Sequence, residues 1–412
     1  MHPALNVEEL RLALFSPLNR EKIADIASVS KSFRSSFLPI IMMNLLISPR
    51  HLDVLFAYSS SKTAPDPAHP FISATVDLAV SPGNILYFLS KSSTQTVRTL
   101  KIENSLATGR GHQHLDIVLA EICSKFPIAK EIEVLGMNGT LQKTILNSFS
   151  DMTTLTLHVP IGETGPTYNI TLGNLKILVV ADREPRSAGS AKESFSVVAA
   201  RIWAPHLEEL NIIGNLRGNL PAVRELVRRY SSTLQKLGIL DDKGPSSEWH
   251  TMGFPFMEHL RTLVLDVSWT SVYINGENAF QQSLPGLRTL VLQSGVQSVF
   301  AGLVEPMWNK VAEGLTQVQG SLEVIRLEIR GETGPVPLSF AEVVKERLRE
   351  VGASMQSFSV EEGECELWPE STFDRIPRRN RHGGNHGWGD GGRSWEDGRL
   401  AGLKALNKYD FS

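Results

Sequence analysis

The run His112-Gln113-His114-Leu115-Asp116 comes nearest, by residue type, to a catalytic motif. Imidazole nitrogens and carboxylate oxygens bind zinc, and a zinc-bound water can act as a hydrolytic nucleophile at neutral pH. Such a site needs three or four ligands, yet Ile117 follows the aspartate, and His158, His206, His250 and His259 are scattered along the chain. We interpret the run as surface side chains of a loop that leads into a helix.

The run resembles the His-x-His-x-Asp-His cluster of metal-dependent hydrolases, in which a histidine stands at the place of Ile117. A hydrolase is the least favoured of three hypotheses, because no other catalytic pattern supports it. The phosphate-binding pattern G-x-x-x-x-G-K-[ST] is absent from the sequence, and the two cysteines, Cys123 and Cys365, cannot form a zinc ribbon. We expect no catalytic residue, no metal and no cofactor, and therefore a binding protein rather than an enzyme.

An L-x-x-L-x-L pattern organises most of the chain, and ten copies of it can be counted. The last two apolar positions alternate with polar ones, which sends two apolar side chains to one face of a short strand, while the first closes the preceding turn. The triplets are Val97/Leu100/Ile102, Ala129/Ile132/Val134, Met152/Leu155/Leu157, Leu175/Leu178/Val180, Leu207/Leu210/Ile212, Leu234/Leu237/Ile239, Leu260/Leu263/Leu265, Leu287/Leu290/Leu292, Leu322/Ile325/Leu327 and Met355/Phe358/Val360.

One short strand cannot bury its apolar face alone, whereas stacked copies cover one another. The repeat therefore predicts an α/β solenoid, with a curved parallel sheet and return helices between the strands. Apolar residues recur at helical spacing in four of the intervening segments: 114–126, 220–230, 296–318 and 340–351. Residues 71–96 are expected to form a degenerate first repeat.

The repeats resemble the leucine-rich-repeat family over roughly residues 90–365. Members of that family carry Asn or Cys three residues after the triplet, and Asn215 alone occupies that position here, so we expect irregular repeats without a continuous asparagine ladder. The alternate strand residues point away from the leucine face. Several of them are apolar, which marks either a partner surface or an intramolecular cover. The candidate target-binding residues are Ile177, Val179, Val264, Val291 and Val324.

The first 47 residues differ from the repeats because their apolar residues follow a helical period. Asn6 and Glu9 have the spacing of a capping box, Ser16-Pro17 ends a first helix, and Ser30 can cap a third. Three short helices bury little surface, so this unit needs a partner.

This stretch resembles an F-box, from Leu5-Asn6-Val7-Glu8-Glu9-Leu10 to Ser30-Lys31-Ser32-Phe33-Arg34. Val7, Ser30 and Phe33 stand where the family usually has Pro, often Cys and usually Trp. The resemblance implies docking onto a Skp-type adaptor, and hence a role as the substrate-recognition subunit of an SCF-type cullin-RING ubiquitin ligase. The implied adaptor-binding and core face consists of Leu10, Leu14, Phe15, Leu18, Ile23, Ile26, Val29 and Phe33. The alternative is a repeat scaffold with no link to a ligase, whose N-terminal helices cap the solenoid.

Composition restricts the partners and the compartment. The net charge of -3 gives no overall field to attract nucleic acid or an anionic membrane. Two cysteines suit a reducing compartment, and Glu8 and Glu9 occupy the place of a signal peptide's positive charges. We therefore expect a cytoplasmic or nuclear protein that binds an unknown target protein, with no nucleic acid and no membrane as partner.

The predicted organisation has four parts. Residues 1–47 form the F-box-like helical motif, 48–70 a linker, and 71–376 the leucine-rich-repeat solenoid. Residues 377–412 are rich in glycine and arginine, and we expect a disordered tail there because such a sequence cannot bury a core.

Overall fold

The strands of successive repeats lie side by side and hydrogen-bond in parallel. The computed structural model describes residues 44–49, 52, 71–92, 94–104, 115–137, 139–158, 169–181, 201–214, 216, 220–241, 254–266, 284–295, 322–330 and 359–363. Within these ranges the strands are β1 (Asn44–Ile47), β2 (Ser73–Asp77), β3 (Thr99–Glu103), β4 (Glu131–Leu135), β5 (Thr154–His158), β6 (Ile170–Thr171), β7 (Ile177–Ala181), β8 (Ile202–Trp203), β9 (Glu209–Gly214), β10 (Lys236–Asp241), β11 (Thr262–Asp266), β12 (Thr289–Gly295), β13 (Val324–Arg330) and β14 (Ser359–Gly363). Twelve of them form one sheet in the order β1-β2-β3-β4-β5-β7-β9-β10-β11-β12-β13-β14, and β6 and β8 form a second, small sheet.

Helices connect several of these strands, as parallel pairing requires a crossover. Those in the described ranges are α1 (Pro82–Lys91), α2 (Leu115–Lys125), α3 (Gly139–Ser148) and α4 (Leu220–Tyr230). Proline at the start of α1 suits the first helical turn, where its missing N–H leaves no bond unmade. Arg228 and Arg229 in the last turn of α4 complement the negative end of the helix dipole. None of the described helices is long and apolar enough to cross a membrane.

The strand register places the leucines of the repeats in continuous rows. Leu210 lies opposite Leu178 on one side and Leu237 on the other, and Leu263 and Leu290 continue the row. Each of these side chains is at most 1% exposed. They pack with the buried side chains of the four described helices in one apolar core, so the helices cover this face of the sheet.

The predicted α/β fold with a parallel, solenoid-like sheet is confirmed, and each of the ten copies of the pattern contributes a strand to it. The degenerate first repeat is also present, as β2 and α1. In the last copy the register differs from the prediction, because Val360 rather than Phe358 pairs with Ile325. A shift of two residues leaves the same side chains on the same face of the strand.

The sheet begins earlier than the sequence predicts. Asn44–Ile47 form β1, which pairs in parallel with β2, and Leu45 and Ile47 are 3% and 0% exposed. Leu52, inside the predicted linker, packs against the main core. Residues 44–47, which the sequence analysis assigns to the helical motif, therefore extend the sheet. The division of the chain into four parts stays a prediction.

The small sheet packs on the main core through Ile170 and Ile202, which are 6% and 2% exposed. Ile202 pairs with Ile170, and the Tyr230 hydroxyl donates to the Ile202 carbonyl at 2.8 Å. The ring of Trp203 stacks on that of Tyr230 at a centroid distance of 6.1 Å. Burial raises the pKa of the Tyr230 hydroxyl above its ordinary value, although the Arg229 guanidinium acts in the opposite direction.

Several sequence predictions lie outside the described residues. They are the F-box-like helices up to residue 43 with all eight adaptor-binding residues, the return helices at 296–318 and 340–351, and the tail at 377–412. The helices predicted at 114–126 and 220–230 are confirmed as α2 and α4.

The buried hydroxyl of Tyr230 makes the free energy of unfolding depend on pH in the alkaline range. Because its pKa is higher in the folded than in the unfolded chain, its contribution is complete below about pH 10 and is lost as pH rises through the folded pKa. At about pH 8, Tyr230→Phe should lower the free energy of unfolding by about 1 kcal/mol, through loss of the hydrogen bond to Ile202. Urea unfolding measures the free energy of unfolding of both proteins. The difference in that free energy between the native chain and Tyr230→Phe should be smaller at about pH 11 than at about pH 8. An equal difference at both pH values would contradict this account.

Candidate protein-binding surfaces

The face of the sheet opposite the helices is the predicted binding face. It carries the strand residues that alternate with the core leucines, for example Thr99, Lys101 and Glu103 in β3. We call it the second face. Charged side chains lie on it at β3 and β4, an apolar cluster crosses it from β7 to β12, and polar side chains lie beside that cluster on β9 and β10.

The charged part of the second face is built around the carboxylate of Glu133. Its Oε1 lies 3.6 Å from Lys101 Nζ and 3.2 Å from His158 Nε2, and Lys101 Nζ also lies 3.1 Å from Glu103 Oε2. His158 is 2% exposed, and Gln142 Nε2 donates to its carbonyl. The interactions join three neighbouring strands, so these side chains are already engaged with one another within the face.

The middle of the second face carries a polar group at β9 and β10. Glu209 Oε1 accepts a hydrogen bond from Asn211 Nδ2 at 2.8 Å and lies 3.1 Å from Lys236 Nζ. Asn211 is 2% exposed, and within the described part of the chain its Oδ1 has no hydrogen-bond partner. A buried acceptor without a donor costs about 1–3 kcal/mol. Gly238 lies opposite Asn211 in the register, so there is no side chain on that strand to supply the donor.

A second apolar cluster crosses five neighbouring strands of this face, and we call it the apolar stripe. Its members are Ala181, Ile213, Leu240, Val264 and Val291, each 2–4% exposed. The buried side chains of the described helices belong to the main core, on the other side of the sheet. The stripe is therefore a second core, and the sheet has apolar layers on both of its faces from β7 to β12.

The structure places the five predicted target-binding residues on the second face. Val264 and Val291 are 2% and 4% exposed, and of the two alternatives, a partner surface or an intramolecular cover, the cover fits them. Val179 packs against the stripe, while Ile177 and Val324 are half-buried. Whether these residues bind a target stays a prediction.

The histidines and acidic residues of the hydrolase hypothesis are only partly described. In the described ranges no group of three or more His, Cys, Asp or Glu side chains could hold a metal ion. His112 and His114 lie outside those ranges, and Asp116 lies in the first turn of α2. Burial raises the pKa of the Cys123 thiol, against a smaller opposing effect of a hydrogen bond with Ser148, which makes this cysteine a poor nucleophile at neutral pH.

A second surface lies at the amino ends of the strands, where one residue immediately precedes each strand. Backbone hydrogen bonds join these residues in a row, because each carbonyl accepts the N–H of the next row member and of the residue after it, as Arg98 does from Lys130 and Glu131 at 2.9 and 3.1 Å. We call this the amino-end row. Its members are Ile72, Arg98, Lys130, Thr153, Lys176, Glu208, Gln235, Arg261, Arg288 and Glu323.

The amino-end row is rich in cations. Five of these ten described residues are Lys or Arg and two are Glu. The two carboxylates pair within the row, Lys176 with Glu208 at 2.9 Å and Arg288 with Glu323 at 3.6 Å. Arg98 and Lys130 are exposed neighbours with no carboxylate partner among the described residues. Two adjacent like charges repel, so this end of the row favours an anionic partner.

Exposed apolar side chains lie in the segments that lead into the strands. In the described ranges, six large apolar side chains are exposed. Ile72, Ile128 and Phe256, at 47%, 44% and 61%, precede β2, β4 and β11, and Trp203, at 46%, lies in β8, between β7 and β9 in the chain. The other two, Tyr87 and Ile117, lie on α1 and α2. Sequence reasoning missed this surface. The signal was an aromatic residue four positions before the first leucine of three successive triplets, at Trp203, Tyr230 and Phe256.

Comparisons with known proteins identify no family. No family model matches the chain, and no curated protein matches it. One similar solved structure is the crystal structure of a structural-genomics target from Bacteroides fragilis, 12% identical to this chain. The match covers 70% of this chain and 73% of that one with a TM-score of 0.38, which is too low to support a conclusion about fold or function.

The burial of the apolar stripe can be tested with two leucines of one strand. Leu237 and Leu240 in β10 lie on opposite faces and are 0% and 3% exposed. Leu237→Ala in the main core should lower the free energy of unfolding by about 2–5 kcal/mol, and Leu240→Ala should cost a similar amount if the stripe is a second core. Chemical denaturation of both variants beside the native chain measures this. A cost below about 0.5 kcal/mol for Leu240→Ala, as for an exposed position, would show that the second face is open there.

Proposed function

We propose that this chain is the substrate-recognition subunit of an SCF-type ubiquitin ligase. Its N-terminal F-box-like residues bind a Skp-type adaptor, and its leucine-rich-repeat solenoid binds a target protein. The chain performs no covalent chemistry. It holds the target near the catalytic subunits of the ligase and so raises its effective concentration there.

The observation that carries the proposal is a solenoid-like sheet with an F-box-like sequence immediately before it. A parallel sheet with helices on one face gives a long, rigid surface, which is the usual means by which repeat proteins bind partners. The apolar positions Leu10, Leu14, Phe15 and Leu18 match an adaptor-binding helix by resemblance. Leucine-rich repeats following an F-box form a familiar pairing of modules.

One observation favours the second candidate function, a repeat scaffold with an N-terminal cap. Among the described strands β1 is the outermost of the sheet, and residue 43 directly precedes it in the chain. The chain therefore enters the sheet at the end where a cap would have to cover the first apolar layer. A cap binds no adaptor, so the two functions predict different results.

Adaptor binding distinguishes them. The full chain should form a stable complex with a purified Skp-type adaptor in size-exclusion chromatography, and Leu14→Asp/Leu18→Asp should abolish it, because two charges would be buried in the interface. Leu12→Asp is the matched control, since Leu12 lies off the predicted face formed by Leu10, Leu14, Phe15 and Leu18. It should leave the complex intact.

Thermal unfolding of the same proteins completes the test. In an adaptor-binding protein, the double variant loses the complex and keeps the melting temperature of the native chain. Failure of the soluble native chain to bind the adaptor would overturn the ligase proposal. Failure of the native chain to bind, together with a melting temperature that falls by about 4 °C or more in the double variant, would support residues 1–43 as a cap.

A further inference from the structure

We propose that the amino-end edge of the sheet is a docking surface for an acidic, partly apolar segment of a partner protein. The inference rests on the proposed target-binding role of the solenoid and names the surface and the chemistry of what it holds. The proposed binding surface is the edge where the strands begin, and not the second face, where the apolar stripe is already buried.

The charge of the edge selects the partner's charge. Arg98 and Lys130 are adjacent members of the amino-end row, joined by the hydrogen bond from Lys130 N to Arg98 O. Glu131 follows Lys130, but its Oε2 accepts from Thr99 Oγ1 at 2.7 Å on the second face. Further along, Glu208 and Glu323 are paired within the row, and Asp151 Oδ1 accepts from Asn174. Of the row's cations without a carboxylate partner among the described residues, Arg98 and Lys130 are adjacent and Arg261 stands alone before β11. Carboxylates of a partner would therefore be attracted most strongly at β3 and β4.

The exposed apolar side chains of the edge indicate that a partner packs against it, in addition to being attracted by its charge. Ile72 and Ile128 lie beside the two cations, and Trp203 and Phe256 lie further along the sheet. The indole of Trp203 is held on one side by stacking on Tyr230, which is itself 2% exposed and hydrogen-bonded. An aromatic ring fixed in this way loses little conformational entropy on binding, and tryptophan is enriched among residues that dominate interfaces.

The geometry suits a short extended segment. Neighbouring strands are about 4.8 Å apart, so β3 and β11, six steps apart in the sheet, are separated by about 29 Å. An extended chain covers that distance with about nine residues. One segment of about 12 residues can therefore place carboxylates against Arg98 and Lys130 and apolar side chains against Trp203 and Phe256.

A phage-displayed library of random 12-residue peptides, selected on the full-length chain, tests the proposal without any adaptor. The enriched peptides should be net negative and contain aromatic or large aliphatic residues. Their affinity, measured by fluorescence anisotropy, should fall about tenfold or more with Arg98→Glu/Lys130→Glu and also with Trp203→Ala/Phe256→Ala. Lys143→Glu on α3 and Ile117→Ala on α2 are exposed controls and should change affinity less than about twofold.

The outcomes are distinct. Three results would overturn the proposal that one acidic segment binds this edge. They are the absence of enriched peptides, the enrichment of neutral or basic peptides, and a loss of affinity with only one of the two double variants. Binding of a single-stranded oligonucleotide in place of peptides, weakened by the charge reversal, would overturn it in favour of a nucleic acid. If either double variant fails to fold by circular dichroism, Arg98→Gln/Lys130→Gln and Phe256→Ala alone replace them. Because no adaptor is present, a negative result leaves the adaptor experiment unaffected.

Discussion

The parallel register of the strands is the constraint on which the rest of the structure depends. A strand of five residues has too little apolar surface to fold alone, and its leucines become buried only when those of the next strand lie directly opposite. The pairing of Leu178, Leu210 and Leu237 in one row is therefore both the source of the core and the reason that helices lie on the same side throughout the described repeats. The bifurcated bonds of the amino-end row begin each strand at the same level as its neighbour.

The main sheet could be predicted from sequence because one local signal repeats ten times. Each triplet is weak alone, but the alternation at Leu210 and Ile212 recurs at positions that the register then pairs. The error at Phe358 arose because the last triplet is the least like the others, and an alternation of period two looks the same after a shift of two residues. β1 was missed because a short apolar run such as Asn44–Ile47 has no period of its own and follows a helical pattern.

The candidate surfaces were less predictable, for a physical reason. Alternation identifies which side chains share a face, but it does not show what packs on that face. Val264 and Val324 have the same pattern in sequence, yet the first is fully buried and the second half-buried. Exposure at the amino-end edge depends likewise on tertiary neighbours. Tyr230 and Phe256 occupy equivalent positions in adjacent repeats, and only the first is covered. Burial of this kind is a property of several repeats together.

The place of β1 has a mechanical consequence. Among the described strands it is the outermost of the sheet and has one neighbour, β2, from which 25 residues separate it in the chain. An end strand of a stacked array has half the interfaces of an inner one, so it opens at the lowest free energy and its amides exchange with solvent first. Tension applied through residues 1–43 reaches the sheet at this strand. A load there would separate β1 from β2 before it reached the repeats that follow.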